Sequence, residues 1–597
     1  MPFGYHGCYL RIDVTRPSTS LGAALSNVEG RGSAERVPID DAVLRQFIGG
    51  SGLGVRLLLD EGCAHLDALD PRAPLIFAFS PLVGSPLTTS AKFAVVSKSP
   101  LTDRINDSLA SSGFAVAGKS CGCDAILIVG RAPQLSVLVV DDGQVRLESA
   151  ADYAGETCEA TAEGLRSFLG ANYRVASIGP AGERLVRYAT ISHHGRHAGR
   201  GGSGAVLGAK NIKAIAVRGT QRVDWAHPRE LTAISKDLSR RSFGPATAKY
   251  RELGTATNML TFNRFGALPT RNFQSGTFDE AVNLSPEELS ITRSRTRDSC
   301  VTCTIGCEHI YGVGDGTVRV EYESLFALGS LCGIGDAEVV LRASQRCDEL
   351  GLDTISTGGT IAFAMECVER GWLDEPWLTF GNGDALLRAI ELIASREGLG
   401  GLLAEGSRAA AHAIGHNSIA IAPQVKGLEM PGYEPRALQT MALGLAVGAR
   451  GADHNRSGAY EVDFSDKVDR RHVTLDAVRH AIDTEDRAAL MDSLIICKFL
   501  RGVFEDFHGE TAAMLRSVTG WDVTADELRE TAARIVAAKQ EFNVLAGWTP
   551  EEDTLPDRFL DSALPNDLEA HLSRERLEAL VVEYRRQRAL RGNPQAY

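Results

Sequence analysis

Residues 300–307 of the chain read CVTCTIGC, and this stretch carries the most specific local signal in the sequence. Cys300, Cys303 and Cys307 follow a C-x2-C-x3-C spacing, and Gly306 permits a tight turn of the loop. Three thiolates this close repel one another unless a metal neutralises them, and zinc and iron–sulfur clusters select thiolate as a soft ligand. A [4Fe-4S] cluster requires a fourth cysteine from elsewhere. A structural zinc is the alternative, because His309 is available as its fourth ligand.

The pattern of apolar residues in the sequence changes at about residue 220. Before it, short apolar or β-branched runs alternate with Gly, Pro and Asp, the pattern of sheets joined by turns. After it, apolar residues recur at the three- and four-residue spacing of amphipathic helices. We predict an α+β fold, with a β-rich domain over residues 1–220 and two mainly α-helical domains over residues 221–430 and 431–597. The prediction rests on PLIFAFSPLVG (74–84), KFAVVSKS (92–99), DAILIVG (124–130), LSVLVVDDGQVRLES (135–149), IKAIAVRG (212–219), DAEVVLRASQRCDELG (336–351) and TISTGGTIAFAMECVERG (354–371).

Two further helices are predicted in the last part of the chain. The segment RAALMDSLIICKFLRGVF (487–504) is apolar nearly all round, which predicts a buried helix. A charged helix that ends near Leu590 follows the turn-rich stretch DTLPDRFLDSALPNDLE (553–569).

Composition indicates a globular protein with ample core. The 597 residues are 44% apolar and 23% charged, ordinary values for a soluble chain. The formal net charge of -13 argues against general binding to nucleic acid or anionic membranes. No run reaches the roughly 18 apolar residues of a membrane helix, and the start MPFGYHGCYLRIDV lacks the pattern of a signal peptide, so we expect a cytoplasmic location. The twelve cysteines are too sparse for a disulfide scaffold, so the clustered ones indicate metal or redox chemistry.

Further motifs surround the cysteines. They are ASIGPAGERLVRYATI (176–191), HAGRGGSGAVLGAKNIKAIAVRG (197–219), DELGLDTISTGGT (348–360), LAEGS (403–407) and DTLPDRF (553–559). In this order the motifs resemble those of the aldehyde ferredoxin oxidoreductase family of tungsten–pterin enzymes, nearly end to end. The resemblance implies that the N-terminal β-rich domain cradles a bis-pterin cofactor of tungsten or molybdenum, and that a [4Fe-4S] cluster lies beside it.

The resemblance also implies which residues hold these cofactors. The first pterin motif corresponds to Asp348, Gly351, Leu352 and Asp353, and a carboxylate is a fitting acceptor for the N–H edge of a pterin. The second motif, DSLIIC (492–497), has an isoleucine, Ile495, where the family has glycine, and it ends in the cysteine that would be the fourth cluster ligand. This favours the cluster over zinc. The remaining implied ligands are Asp492, Ile496 and Cys497 of the second motif, together with Lys92, Arg196, Arg200, Gly201, Gly202 and Arg456, while Mg²⁺ between the pterin phosphates is a further candidate.

Two residues correspond to positions at which the family carries out catalysis. Glu323 aligns with a glutamate proposed as a general base, and His454 aligns with a histidine of the substrate pocket. Lys92 replaces an arginine near the metal, and a point charge is not equivalent to a planar guanidinium fork. Arg342 and Gln345 replace the pair that binds an iron between two subunits, so any homodimer is expected to lack that iron.

The predicted activity is the interconversion of an aldehyde and a carboxylic acid by a tungsten– or molybdenum–pterin oxidoreductase. Electrons would pass through the [4Fe-4S] cluster to ferredoxin or a ferredoxin-like carrier. Two alternatives stay open. The same cofactors could reduce a different substrate, such as an aryl thioester or a natural-product intermediate, or the chain could be a catalytically inactive scaffold that carries the cluster.

Overall fold

A computed structural model gives the fold over residues 2–17 and 32–591. Up to residue 218 the chain forms two six-stranded sheets. Their strands are β1 (Cys8–Pro17), β2 (Gly32–Pro38), β3 (Leu75–Ala78), β4 (Lys92–Lys98), β5 (Ile105–Ser111), β6 (Ala125–Val129), β7 (Ser136–Asp141), β8 (Gln144–Ser149), β9 (Arg174–Ser177), β10 (Ile191–His193), β11 (Arg196–Ala198) and β12 (Ile212–Arg218).

The strand order is β2-β1-β6-β3-β4-β5 in the first sheet and β11-β10-β9-β12-β7-β8 in the second. The strands predicted from the apolar runs are confirmed as β3, β4, β6, β7, β8 and β12. Every residue of β3 and β6 is buried, which explains why these strands read as continuous apolar runs rather than as an alternating pattern. The fold class predicted from the sequence is therefore confirmed in its β-rich part.

Helices dominate the chain after β12, as predicted. The helices in chain order are α1 (Asp41–Phe47), α2 (Gly50–Asp60), α3 (Gly113–Lys119), α4 (Cys158–Leu169), α5 (Pro180–Glu183), α6 (Ser203–Ala209), α7 (Pro228–Ser242), α8 (Ala248–Leu253), α9 (Asn258–Arg264), α10 (Pro286–Thr292), α11 (Tyr322–Leu328), α12 (Ala337–Leu350), α13 (Thr354–Glu369), α14 (Gly383–Ser395), α15 (Leu399–Leu403), α16 (Ser407–Ile414), α17 (Gln439–Val447), α18 (His454–Ser457), α19 (Tyr460–Asp463), α20 (Ala477–Leu494), α21 (Phe507–Thr519), α22 (Ala525–Leu545), α23 (Arg558–Asp561) and α24 (Arg574–Arg591). Within the described ranges, none of them combines the length and hydropathy that crossing a membrane requires.

A small antiparallel sheet flanks the cysteine loop, inside the region predicted to be mainly helical. Its strands are β13 (Arg295–Asp298), β14 (Glu308–Val313) and β15 (Gly316–Val320), in that order, and a two-residue pair β16 (Gln424–Val425) and β17 (Leu428–Glu429) lies further on. Burial alternates along β14, so Glu308 and His309 point to opposite faces. Each of these strands is too short for its alternation to stand out from the helical sequence around it.

The buried helix predicted over residues 487–504 ends early. Helix α20 stops at Leu494 because Ile495 adopts φ 63° and ψ 36°, the left-handed conformation that terminates helices. That conformation costs a β-branched residue roughly 1–2 kcal/mol. The fully buried side chain of Ile495 packs against Gly50, which offsets the cost. The turn leads the chain out of the helix at Cys497.

An apolar core holds the cysteine loop and the end of α20 together. It includes Leu490, Leu494 and Ile496 from the α20 region and Ile305 from the cysteine loop, with Cys303 packed against it. The two parts of the cysteine set are thus fixed by the same core, although they lie far apart in the sequence.

We predict that Gly50→Ala destabilises the protein through this contact. A Cβ at position 50 would overlap the carbonyl oxygen of Asp492 and approach Ile495 Cδ1 to 2.6 Å, and φ at this residue is +45°. Overpacking and a positive φ should together lower the free energy of unfolding by about 2–4 kcal/mol. Gly62→Ala is the matched control, because Gly62 has φ +64° with nothing within 4 Å of its Cβ position. Urea unfolding measures both variants, and equal losses would contradict the prediction.

Candidate functional site

A cavity of about 810 Å³ brings together four cysteines from two distant parts of the chain. All four are free thiols, and all four line the cavity. Burial, reinforced by Cys497, raises the pKa of Cys303 to about 11. Burial and the nearby Cys497 and Cys300 likewise raise the pKa of Cys307 well above its usual value. Cysteines this close repel one another once they are deprotonated, and a metal centre that binds the thiolates removes this repulsion. The set at the cavity is Cys300, Cys303, Cys307 and Cys497.

The donor set fits a four-iron cluster better than the zinc alternative. His309, the candidate fourth zinc ligand, is buried on the other face of β14 from Glu308, and its Nε2 lies 3.3 Å from the carbonyl oxygen of Tyr250. Among the described residues, no three His, Cys, Asp or Glu side chains converge on a single ion-sized point. Four cysteines without a histidine suit a [4Fe-4S] cube, in which each ligand binds a separate iron.

The first predicted pterin motif lies at the junction of α12 and α13. Gly351 ends α12 with φ 75°, and Asp353 caps α13 by accepting a hydrogen bond from the Ser356 amide at 3.2 Å. Asp348, Leu352 and Asp353 line the cavity. The carboxylate of Asp348 lies 3.1 Å from Nε2 of His197. The motif therefore presents two carboxylates to the cavity, while Gly351 supplies the turn between the helices.

The second predicted pterin motif contributes a paired carboxylate. Asp492 lines the cavity and lies 3.2 Å from Arg456 Nη1 and 3.1 Å from Lys498 Nζ. Ile496, by contrast, packs in the apolar core described above. The structure thus brings Asp492 and Arg456 to the cavity and places Ile496 behind its wall.

Basic side chains line the cavity between the two motifs. Arg196 forms an ion pair with Glu308, and Arg200 donates hydrogen bonds to the carbonyl oxygens of Ala452 and Glu429, with its Nε 3.5 Å from Asp353. Both arginines line the cavity. Guanidinium groups such as these can form charge-assisted hydrogen bonds with the phosphate groups of a ligand.

Gly201 and Gly202 form the left-handed turn that starts α6, with φ 82° and 78°. A Cβ on Gly202 would overlap the carbonyl oxygen of Arg187, and a Cβ on Gly201 would overlap the side-chain amide of Asn106. The two glycines therefore allow the backbone after Arg200 to pass close to its neighbours.

Lys92, at the start of β4, stands beside the cysteines and Asp492. Burial works to lower the pKa of Lys92, but Cys497, Cys300 and Asp492 outweigh it and raise the pKa above its usual value. Lys92 is therefore a stable cation in the cavity wall.

Sequence reasoning missed a buried carboxylate that supports this wall. Asp107 on β5 accepts hydrogen bonds from Lys539 Nζ at 2.7 Å, from Ser51 Oγ at 2.6 Å and from Arg456 Nε at 3.1 Å. Burial alone would raise the pKa of Asp107, but Arg456 and Lys539 hold it well below the usual range. Its partners come from distant segments, so no local pattern marks Asp107.

Several buried polar atoms lack a hydrogen-bond partner within the described part of the chain. Hydrogen-bond donors and acceptors that are buried without partners cost about 1–3 kcal/mol each. A bound group with anionic oxygens and N–H donors would satisfy them, which is what phosphate groups and a pterin edge provide. The atoms that face the cavity are Arg200 Nε, Arg319 Nη2, Glu323 Oε1, Arg450 Nε and His454 Nδ1.

Glu323 and His454 face each other in the same cavity. Glu323 Oε1 lies 3.5 Å from His454 Nε2, and Glu323 Oε2 accepts a hydrogen bond from the Gly432 amide at 3.0 Å. Burial raises the pKa of Glu323 to about 8 and lowers the pKa of His454 to about 3. Nε2 of His454 faces the Asn455 amide nitrogen at 2.9 Å, which favours the ring proton on Nδ1. Both side chains are therefore mostly uncharged at neutral pH.

Aromatic rings surround this end of the cavity. Phe262 and Phe464 stack at 5.2 Å with an interplanar angle of 1°, and Tyr433 lies 5.2 Å from Phe262 and 5.0 Å from the His454 ring. Phe464 is 37% exposed and so stands at the mouth. Flat aromatic faces thus line the cavity that contains Glu323 and His454.

Two family models match the chain: "Aldehyde ferredoxin oxidoreductase, N-terminal domain" over residues 29–219 and "Aldehyde ferredoxin oxidoreductase, domains 2 & 3" over residues 234–595. The tungsten-containing aldehyde ferredoxin oxidoreductase of Pyrococcus furiosus is 36% identical over 544 residues, covering 88% of this chain and 89% of that protein. The enzyme of the same name from Thermococcus kodakarensis is 35% identical over 545 residues, with the same coverage of 88% and 89%.

Among solved structures, the active site complex BamBC of benzoyl coenzyme A reductase with 1,5-dienoyl-CoA shares the fold. Its TM-score is 0.82 at 22% identity, over 99% of this chain and 95% of that one. Fold, cavity and sequence together define an enzyme of the oxidoreductase class. The chain belongs to the aldehyde ferredoxin oxidoreductase family.

Proposed function

We propose that the protein oxidises an aldehyde to a carboxylate, reversibly, and passes the electrons to a ferredoxin-like iron–sulfur carrier. The observation that carries the proposal is that the cysteine set and the Glu323–His454 pair line one cavity. One aldehyde and one water give one carboxylate, three protons and two electrons. The cavity thus needs a proton acceptor and an electron exit, and these two residue groups supply them.

The lining residues suit the cofactors of the related tungsten enzymes. Lys92, Arg196, Arg200 and Arg456, with the carboxylates of the two pterin motifs, would hold a tungsten or molybdenum bis-pterin, with Mg²⁺ at its phosphates. The four cysteines would hold a [4Fe-4S] cluster. When bound, the metal–pterin centre supplies two-electron redox chemistry and the cluster passes electrons one at a time.

We expect Cys497→Ser to lose the cluster. The parent protein, purified without oxygen, should contain about four iron atoms per chain, and the variant should contain far less, because one iron would lack its thiolate. Cys63→Ser is the control, since Cys63 lies outside the cavity and donates to the Glu61 carbonyl at 3.0 Å, a bond that serine can also make. Iron content and visible absorbance measure both. Full iron content in Cys497→Ser would remove that residue from the ligand set.

Glu323 would accept the proton of an attacking water. The carboxylate is the active form, and its desolvation in the cavity makes it a stronger base than a carboxylate in water. His454, neutral and protonated on Nδ1, would donate a hydrogen bond to the oxygen that gains negative charge. The hydrogen bond from Gly432 holds the carboxyl group in place. These residues would orient the substrate and transfer the proton within the cavity.

The pH dependence of turnover tests the role of Glu323. Because the pKa of Glu323 is raised to about 8, the base is mostly protonated at pH 7 and turnover should rise as the pH increases through this value. Glu323→Gln should lower kcat by at least about 100-fold while iron and tungsten or molybdenum contents stay unchanged. Glu369→Gln is the control, because Glu369 lies outside the cavity, has a side chain 45% exposed and pairs with Arg271. Near-parental turnover of Glu323→Gln would exclude it as the base.

The aromatic walls favour a substrate with an aryl group. A planar ring can make aromatic contacts with the exposed part of Phe464 and the rings near it, whereas an alkyl chain gains only apolar burial. The Arg501 guanidinium, which also lines the cavity, already forms an ion pair with Glu461 at 2.9 Å and donates a hydrogen bond to the Tyr460 hydroxyl at 2.5 Å. An aryl aldehyde is therefore the substrate class that the cavity suits best.

We expect Phe464→Ala to raise KM for benzaldehyde by about threefold to tenfold, which is the value of one aromatic contact. The effect on KM for a short alkyl aldehyde should be smaller, and kcat should change little because Phe464 does not touch the reacting group. Phe168→Ala is the control, since Phe168 is 70% exposed on α4. Steady-state kinetics with a viologen acceptor measures all three proteins. An equal KM change for both aldehydes would contradict aryl recognition.

The same aromatic walls favour one second candidate, the reduction of an aryl thioester with the same cofactors. Consumption of reduced viologen with an aryl thioester, but not with an aryl carboxylate, would select that reaction. A cluster-bearing scaffold without catalysis would instead contain iron but neither tungsten nor molybdenum.

A further inference from the structure

The cysteine loop reaches the protein surface beside a strip of exposed residues. From Ser294 to Thr302 almost every residue is exposed, and Val301, between two of the cysteines, is 44% exposed. Phe243, at the end of α7, is 59% exposed. We call the patch of Phe243, Arg251, Arg295, Arg297 and Val301 the cysteine-loop surface.

Direct contacts join this surface to the cysteine loop. Arg297 Nε lies 3.3 Å from the position that a Cβ would take on Gly306, and its Nη1 donates to the Arg251 carbonyl at 3.1 Å. Ser242, next to Phe243, shares a hydrogen bond of 2.6 Å with Thr304 of the loop. The guanidinium of Arg251 stacks over the Phe243 ring at 4.4 Å. The patch is thus the outer face of the site that holds the cysteines.

The charge of the cysteine-loop surface opposes that of the whole chain. The protein has a formal net charge of -13, yet Arg251, Arg295 and Arg297 lie together here. Among the described residues, these three guanidinium groups donate hydrogen bonds to neutral oxygens: Thr247 Oγ1, the Glu252 carbonyl, Ser290 Oγ and the Arg251 carbonyl. Glu252 and Asp298 are the acidic residues beside them: Arg295 contacts the backbone carbonyl of Glu252, and the Asp298 carboxylate accepts from the Ser299 amide. The positive field is therefore open to a partner.

The patch also has the anatomy of a small protein interface. It has two exposed apolar residues, Phe243 beneath the Arg251 guanidinium and Val301 in the cysteine loop, and arginine and aromatic residues are enriched at interfaces. The outer edge of β13 lies open, since within the described ranges this strand pairs only with β14. Transient electron-transfer partners bury less than about 1,200 Å² in total and depend on charge for orientation.

We propose that the cysteine-loop surface is the docking site of the electron carrier, a small acidic iron–sulfur protein. This inference rests on the proposed function, because it takes the cysteines as the electron exit. Each turnover releases two electrons, so two oxidised carriers dock in succession and each leaves with one electron. The arginines select an acidic carrier by charge, and the exposed apolar pair sets the closest approach to the loop.

The test compares a protein acceptor with a dye on the intact holoenzyme. In Arg295→Gln/Arg297→Gln, kcat/KM for an acidic [4Fe-4S] ferredoxin should fall about tenfold, whereas dye-linked turnover with benzyl viologen stays within about twofold. Raising ionic strength from about 0.01 M to about 1 M should slow the parent with ferredoxin much more than the double variant. Arg251→Gln should also lower kcat/KM for ferredoxin, and this substitution leaves the cysteine loop unchanged. Arg479→Gln is the matched control, an exposed arginine on α20 outside the surface.

The outcomes are distinct. Unchanged ferredoxin kinetics and an unchanged salt dependence in the double variant and in Arg251→Gln would overturn the docking site; the arginines would then serve only to protect the open edge of β13 from pairing with other chains. An equal loss in Arg479→Gln would overturn it too, because the effect would be one of overall charge. Absence of dye-linked turnover in the parent protein would instead refute the proposed function.

Discussion

The buried carboxylate of Asp107 is the contact on which the geometry of the cavity depends. It lies on β5 of the first sheet and is bound by Ser51 of α2, Arg456 of α18 and Lys539 of α22. A buried charge without partners is strongly destabilising, so these elements have to converge on it. Arg456 in turn pairs with Asp492. One ion network therefore fixes the β-rich part of the chain against the helices that carry the second motif.

The position of Cys497 follows from the same packing. Asp492 is held by Arg456 near the end of α20, and three residues later the left-handed turn at Ile495 redirects the chain. The close approach of Gly50 to this turn leaves no room for another side chain. The strained backbone of Ile495 is thus supported by Gly50 of the distant helix α2. The result is a thiol delivered to the cavity where three others converge.

How far the sequence predicted this arrangement depends on the range of each interaction. The strands of the first sheets were predictable because continuous apolar runs reflect burial on both faces. Cys300, Cys303 and Cys307 were visible from their spacing, but Cys497 was indicated only by the family resemblance, and the end of α20 was predicted wrongly because a left-handed isoleucine contradicts local preference. Asp107 could not be predicted, since its partners lie hundreds of residues away and an isolated aspartate in a strand gives no periodic signal.

The opposite pKa shifts of Glu323 and His454 have one cause, desolvation, and the same cause affects release of the product. Desolvation disfavours the charged form of each group, so both are mostly neutral near pH 7. A neutral aldehyde, the substrate we propose, would enter this end of the cavity without having to shed a hydrated charge. Once the substrate has become a carboxylate and Glu323 has released its proton, two negative charges would share a desolvated space. Repulsion between them favours release of the acid, so the burial that strengthens the base also helps to clear the product.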